Sequence, residues 1–157
     1  MSRIPIAQTP SKVGEWVSLA GWVNVRRDHG KLIFIDLRDE SGVLQVVFTP
    51  SNIELHKKAE ELRPEWVISV GGKVKERPIG MKNPDVATGT IEVEVESLEV
   101  FARSETPPFD VQGDGHEIDE ELRLEYRYLD LRRPRLQKNI RVRSQLIQKM
   151  REYLFKE

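Results

Sequence analysis

Phe34 and Gln45 are the two side chains whose types and placement could recognise a ligand. In the run Lys31-Leu32-Ile33-Phe34-Ile35-Asp36-Leu37-Arg38, the residues Ile33, Ile35 and Leu37 share one parity, and Asp36 and Arg38 share the other. Successive side chains of a strand point to opposite faces, so the aliphatic set faces a core and Phe34 points to the polar side. The same argument in Val43-Leu44-Gln45-Val46-Val47-Phe48 turns Leu44, Val46 and Phe48 inward and Gln45 outward. An aromatic ring beside an amide, rimmed by Arg26, Arg27, Lys31 and Arg38, suits an unstacked nucleobase. The ring covers the base's flat face, the amide bonds its edge, and stacking contributes roughly 1–3 kcal/mol per base. The competing reading is that Phe34 packs under a loop, Gln45 is merely solvated and the charges form a surface network.

Five β-rich segments are needed to hold such a face, and the sequence supplies them. Glu15 to Arg27 is rich in Val and Trp and reads as the first strand. The next two runs are joined by Asp39-Glu40-Ser41-Gly42, a short polar linker ending in Gly that suits a hairpin. A short helix is expected in IELHKKAEELR, where Ile53, Leu55, Ala59 and Leu62 fall near helical spacing and Pro64 forbids continuation. WVISVGGKVKERP and TIEVEVESLEVFAR are strands four and five, and Gly71-Gly72 fits a bend or bulge. Ile91, Val93 and Val95 alternate with Glu92, Glu94 and Glu96, which marks one buried face and one wet one. Five strands with a helix between the third and fourth is the plan of an OB-fold, a small Greek-key barrel that binds oligonucleotides around strands 2 and 3. The fold class is therefore mainly β.

Domain boundaries are expected at 1–104 for the barrel, 105–118 for a linker and 119–157 for a helical segment. The linker reading rests on ETPPFDVQGDGHEI, which has no hydrophobic period. DEELRLEYRYLDLRR reads as one helix, and Pro134 opens another with an apolar stripe at Leu136, Ile140, Ile147, Met150 and Leu154. Nothing in the sequence is long enough to bury that stripe, and the sequence ends within helical pattern without a Gly or Asn cap, so a truncated second domain is expected.

Composition narrows the function classes. The chain has 157 residues, 32% charged and 38% hydrophobic, which suits a folded soluble protein. It has no Cys, and His29, His56 and His116 show no metal-ligand spacing, so neither disulfides nor a metal centre is expected. The N-terminus lacks the features of a signal or transit peptide, which makes the cytoplasm the default location and a membrane role unexpected. Net charge is −1, so overall basicity does not point to nucleic acid. Through Lys82, 13 Lys and Arg stand against 10 Asp and Glu, whereas 12 stand against 16 afterwards, a mild basic bias toward the first half.

Three stretches resemble class II aspartyl-tRNA synthetases of the bacterial type: GWVNVRRDHGKLIFIDLRDESGVLQVVF at 21–48, NPDVATGTIEV at 83–93 and LRLEYRYLDLRRP at 122–134. Lysyl and asparaginyl relatives share the OB-fold, but RRDHGKLIFIDLRD looks like the aspartyl branch. The resemblance implies an anticodon-binding OB-fold followed by the start of a catalytic domain. The activity it implies is an aspartate–tRNA ligase that uses ATP and Mg, acts as a homodimer and charges tRNA(Asp). By the same resemblance, Phe34 stacks on the central anticodon base and Gln45 bonds to it. Arg27, Asp28 and His29 lie near the first base, and Arg77, Asn83 and Glu92 engage the third. The ordinary readings of these last three are a loop charge, a turn residue and a solvent-facing strand glutamate. Val25 departs from the family, where many members carry Arg. His29 with Gly80 resembles enzymes that charge both tRNA(Asp) and tRNA(Asn). No FRDE-like or GLDR-like catalytic motif occurs in the sequence, so catalysis by these residues alone is not expected. Two other readings remain: a freestanding OB-fold that binds single-stranded nucleic acid, and an interaction module using the Leu136 to Leu154 stripe.

Overall fold

Five strands close into a barrel because each is long enough to pair on both edges. The computed structural model describes residues 2–111 and 113–156. The strands are β1 (Trp16–His29), β2 (Leu32–Arg38), β3 (Val43–Phe48), β4 (Val67–Glu76) and β5 (Ile91–Ala102). They follow the spatial order β1-β2-β3-β5-β4, antiparallel except where β3 meets β5, and β4 closes on β1. Helix α1 (Ile53–Glu61) connects β3 to β4, which completes the OB-fold arrangement. Closure through the β3–β5 and β4–β1 pairings leaves little unpaired sheet edge.

The interior is aliphatic and matches the alternation of the sequence. Ile33, Ile35, Leu37, Leu44, Val46, Phe48, Ile91, Val93 and Val95 are all buried in one cluster. From α1, Leu55, Ala59 and the following Leu62 join it, while Ile53 stays exposed. Asn52 caps this helix, its Oδ1 accepting from the Leu55 N–H at 3.1 Å. A 3-10 helix over Ile6–Lys12, for which the polar N-terminus gave little signal, inserts Ile6 into the same core. Asp39 holds this segment in place: its carboxylate accepts from the N–H groups of Ile6, Ser41 and Gly42 and from the Ser41 hydroxyl.

Besides a register shift at the start of β4, between Val67 and Ile68, two bulges bend the barrel. One interrupts the β1–β2 register between Val23 and Val25, leaving Asn24 out of the ladder. The other lies opposite Gly71-Gly72, where the β5 partner jumps from Ser97 to Val95 and Glu96 becomes the spare residue. The glycines belong there because an added Cβ on Gly72 would lie 2.1 Å from the Glu94 carbonyl oxygen.

The chain divides into two compact units, Met1–Thr106 and Pro107–Glu157. In the second, the expected single helix over DEELRLEYRYLDLRR is broken. Helix α2 (Glu120–Glu125) stops at Tyr126, whose φ of −102° and ψ of 44° lie outside the helical region, and α3 (Arg127–Asp130) restarts beyond it. Tertiary contacts account for the break. Tyr126 packs edge-on against Phe109 at 6.4 Å between ring centroids. Asp130 is buried at 3.0 Å from the fully buried Arg133 guanidinium, which also donates to the Asp110 carbonyl at 2.7 Å. Helix α4 (Pro134–Leu154) then begins on its proline, and Ile140, Ile147, Met150 and Leu154 of its apolar stripe are exposed.

Candidate nucleic-acid interface

The outer face of β1, β2, β3 and β5 carries two rows of side chains set by strand register. Paired residues across a sheet point to the same side, so the rows can be read from the backbone. Arg27 of β1 lies opposite Phe34 of β2, which lies opposite Val47 of β3, and Val47 pairs with Glu94 of β5. One step along, Val25 lies opposite Asp36, Asp36 opposite Gln45, and Gln45 beside Glu92. Phe34 and Gln45 therefore share the wet face, as expected, but they are diagonal neighbours. The residue directly across from Phe34 is Val47, which is buried, so the Phe34 ring is half-buried rather than free-standing.

The polar groups of this face are already joined in pairs. Gln45 Nε2 donates to a Glu92 carboxylate oxygen at 3.0 Å. Arg27 Nη2 donates to Asp36 Oδ1 at 2.7 Å. Arg77 Nε donates to the Ile91 carbonyl at 2.8 Å, at the start of β5. Burial pushes the pKa of Arg77 below its ordinary value; Glu92 and Asp36 pull it back up and Arg27 pushes it down again. Glu92, Asp36 and Arg27 thus lie close enough to Arg77 to act on it electrostatically.

His29 closes one end of the ring site, standing edge-on to Phe34 with centroids 6.3 Å apart and planes at 82°. Asp28 turns away from the patch and pairs with Arg26 at 2.7 Å. Asn83 and Gly80 lie on the β4–β5 loop, whose 3-10 turn Ile79–Met81 leaves Ile79 91% exposed. The Asn83 side chain accepts from the Asp85 N–H at 2.9 Å, and its own N–H donates to the Gly89 carbonyl at 3.0 Å. The structure thus brings Arg27, Phe34, Gln45, Arg77 and Glu92 together, with His29 at the edge. Asp28, Gly80 and Asn83 are on the flanking hairpin and loop.

Two members of the expected cationic rim do not belong to it. Arg26 lies on the opposite parity from Arg27 and donates to the Glu60 and Leu62 carbonyls at the end of α1. Arg38 points out at the far end of β2, where it bonds Asn24 Oδ1 at 2.9 Å and pairs with Glu65 at 3.1 Å. The bulge at Asn24 explains the first difference. Val23 faces the core opposite Leu37, and unbroken alternation would send Arg27 inward with it. The extra residue shifts the parity and turns Arg27 onto the face that holds Phe34. Asp36 is the member that sequence reasoning passed over, having served only to mark the polar parity. Its position two residues from Phe34 was the available signal. Among the described residues no group of three or more His, Asp or Glu side chains converges as a metal site.

The comparisons with known proteins agree with this architecture. Residues 17–101 match the family described as OB-fold nucleic acid binding domain, and residues 119–157 match class II tRNA synthetases (D, K and N). The aspartate–tRNA(Asp/Asn) ligase of Halothermothrix orenii is 53% identical over 91% of this chain and 24% of its own length. That of Desulfatibacillum aliphaticivorans is 56% identical over 90% of this chain and 24% of its length. The chain thus spans about a quarter of the curated relatives it matches. Among solved structures, the asparaginyl-tRNA synthetase of Pyrococcus horikoshii bound to asparaginyl-adenylate superposes with a TM-score of 0.77 at 33% identity, covering 99% of this chain and 35% of that one. An aspartyl-tRNA synthetase from Entamoeba histolytica shares the fold at a TM-score of 0.82 and 20% identity, over 98% of this chain and 37% of that one.

Proposed function

We propose that this chain, which belongs to the OB-fold nucleic acid binding domain family, reads the anticodon of tRNA(Asp) as the front part of an aspartate–tRNA ligase. The observation that carries the reading is the shared outer face of Phe34, Gln45, Arg27 and Glu92 around β2 and β3. In this reading Phe34 stacks on the central anticodon base and Gln45 bonds its edge. Arg27, with Asp28 and His29 on the β1–β2 hairpin, meets the first base. Arg77, Asn83 and Glu92 meet the third, where a carboxylate accepts from the amino group of cytosine and finds no such donor on uracil. His29 and Gly80 are the positions at which tRNA(Asn) would be admitted as well.

The division of labour is part of the same proposal: residues 1–104 bind RNA, 105–118 connect, and 119–157 begin a class II catalytic domain. ATP and Mg would be used, and a homodimer formed, by the remainder of such an enzyme. Among the described residues no helix is long and apolar enough to cross a membrane, and a cytoplasmic location accords with the proposed role.

The direct test is binding of an anticodon stem-loop carrying GUC, measured by fluorescence anisotropy. Phe34→Ala should weaken binding by roughly 1–3 kcal/mol while the circular dichroism stays unchanged, because the ring is only half-buried. Unchanged affinity in the folded variant would remove Phe34 as the stacking platform. Equal affinity for unrelated single strands would favour a freestanding binder of single-stranded nucleic acid.

A further inference from the structure

A carboxylate beside an arginine on an RNA-binding face repels phosphates, so its value there must come from something other than attraction to the backbone. Asp36 sits at the middle of this face. It is on the same side of β2 as Phe34, directly across from Gln45, and it holds Arg27 Nη2 at 2.7 Å. The carboxylate is the deeper partner: its side chain is 19% exposed, against 47% for that of Arg27. A guanidinium presents five N–H donors in a rigid fork, and only one is engaged here among the described residues. The rest of the fork is held on the outer face, on the strand next to the Phe34 ring.

Geometry alone does not fix Arg27. It stands at an exposed strand end and has several rotatable bonds, so its fork would sweep a wide arc without a partner. Asp36 comes from the neighbouring strand, diagonal to Arg27, and ties the fork toward the row that contains Gln45. Gln45 is anchored in turn by Glu92. The Arg27 and Gln45 donors are thus each tied to a carboxylate, of Asp36 and Glu92 respectively.

We propose that Asp36 is a positioning residue for base recognition: its ion pair sets the Arg27 guanidinium beside the Phe34 ring, so that the first anticodon base meets a preset Arg27 donor next to the central base that Phe34 stacks and Gln45 bonds. This rests on reading the face as an anticodon interface. The role is preorganisation, in which side-chain entropy is lost on folding rather than on binding.

The sign of the effect separates this role from simple charge. Removing a negative group from an RNA-binding face strengthens binding if only electrostatics matter, whereas losing a positioning group weakens it. We expect Asp36→Asn and Asp36→Ser to weaken GUC stem-loop binding about 3–10-fold, the scale of ordering one long side chain. Both variants are made, so the test stands on whichever keeps the wild-type circular dichroism and melting transition. In an Arg27→Ala background the same substitutions should leave affinity unchanged or improve it, because there is nothing left to position. Tighter binding on substituting Asp36 alone, or equal weakening in both backgrounds, overturns the proposal while leaving the anticodon reading intact. A wild-type chain that does not bind the stem-loop overturns both.

Discussion

In the proposed anticodon reading, Gly80 and His29 are the positions at which the choice between tRNA(Asp) and tRNA(Asn) would be made. The space around Gly80 is open: a Cβ built there meets nothing within 4 Å. On the proposed reading, which puts the third base against this loop, Gly80 offers it no side chain, and discrimination would rest on Glu92 and its neighbours. Glu92 is shared with the Gln45 amide, so its acceptor capacity is divided between a protein donor and a base. Relaxed specificity follows as the expected outcome. Titration with GUC and GUU stem-loops should give affinities within ~100-fold of each other, about 2.7 kcal/mol. A larger preference for GUC would show that the loop discriminates despite its glycine.

Elements are held to the barrel by close backbone approach and by one buried carboxylate, and each makes a measurable difference. Gly72 faces the Glu94 carbonyl so closely that Gly72→Ala must push β4 and β5 apart, at a cost of about 1–3 kcal/mol in denaturant unfolding. Asp39 ties the N-terminal 3-10 helix to the β2–β3 turn. Burial acts to raise its pKa, but the hydrogen bonds from the Ser41 hydroxyl and the Ile6, Ser41 and Gly42 N–H groups outweigh this and hold it below the ordinary 3.8. A depressed folded-state pKa means the carboxylate stabilises the native form above the ordinary value, and that this contribution is lost as pH falls through the lowered one. The stability advantage of the wild type over Asp39→Asn should thus be full near neutral pH and shrink below about pH 4 in urea titrations.

For the whole molecule, the division into two units carries its own expectation. The aliphatic cluster that holds the barrel together is drawn entirely from residues before Thr106. The buried Arg133–Asp130 pair and the Phe109–Tyr126 contact lie wholly within residues 107–157. A chain of residues 1–106 should therefore unfold in one cooperative transition and bind the GUC stem-loop as the 157-residue chain does. Loss of binding in the folded shorter chain would move part of the RNA site beyond the barrel.

Strand alternation by itself determined most of the fold and half of the face. Period-2 patterning is local, and burial on one side enforces it, so Ile33, Ile35, Leu37, Leu44, Val46 and Phe48 were legible as core, and Phe34 and Gln45 as outward. The short helix after β3 was legible from its helical spacing and Pro64, and the β2–β3 turn and the bend at Gly71-Gly72 from their polar and glycine residues. The side of the barrel that Arg27 would occupy was not legible, because a single extra residue at Asn24 reverses the parity and nothing in the local sequence marks it. Nor was the break at Tyr126, which arises from the Phe109 ring and the buried Asp130, distant in sequence or dependent on burial. The pairing of Arg27 with Asp36 and of Gln45 with Glu92 depends on barrel register, which relates residues 9 and 47 positions apart. Long-range register is the property that only the tertiary structure decided.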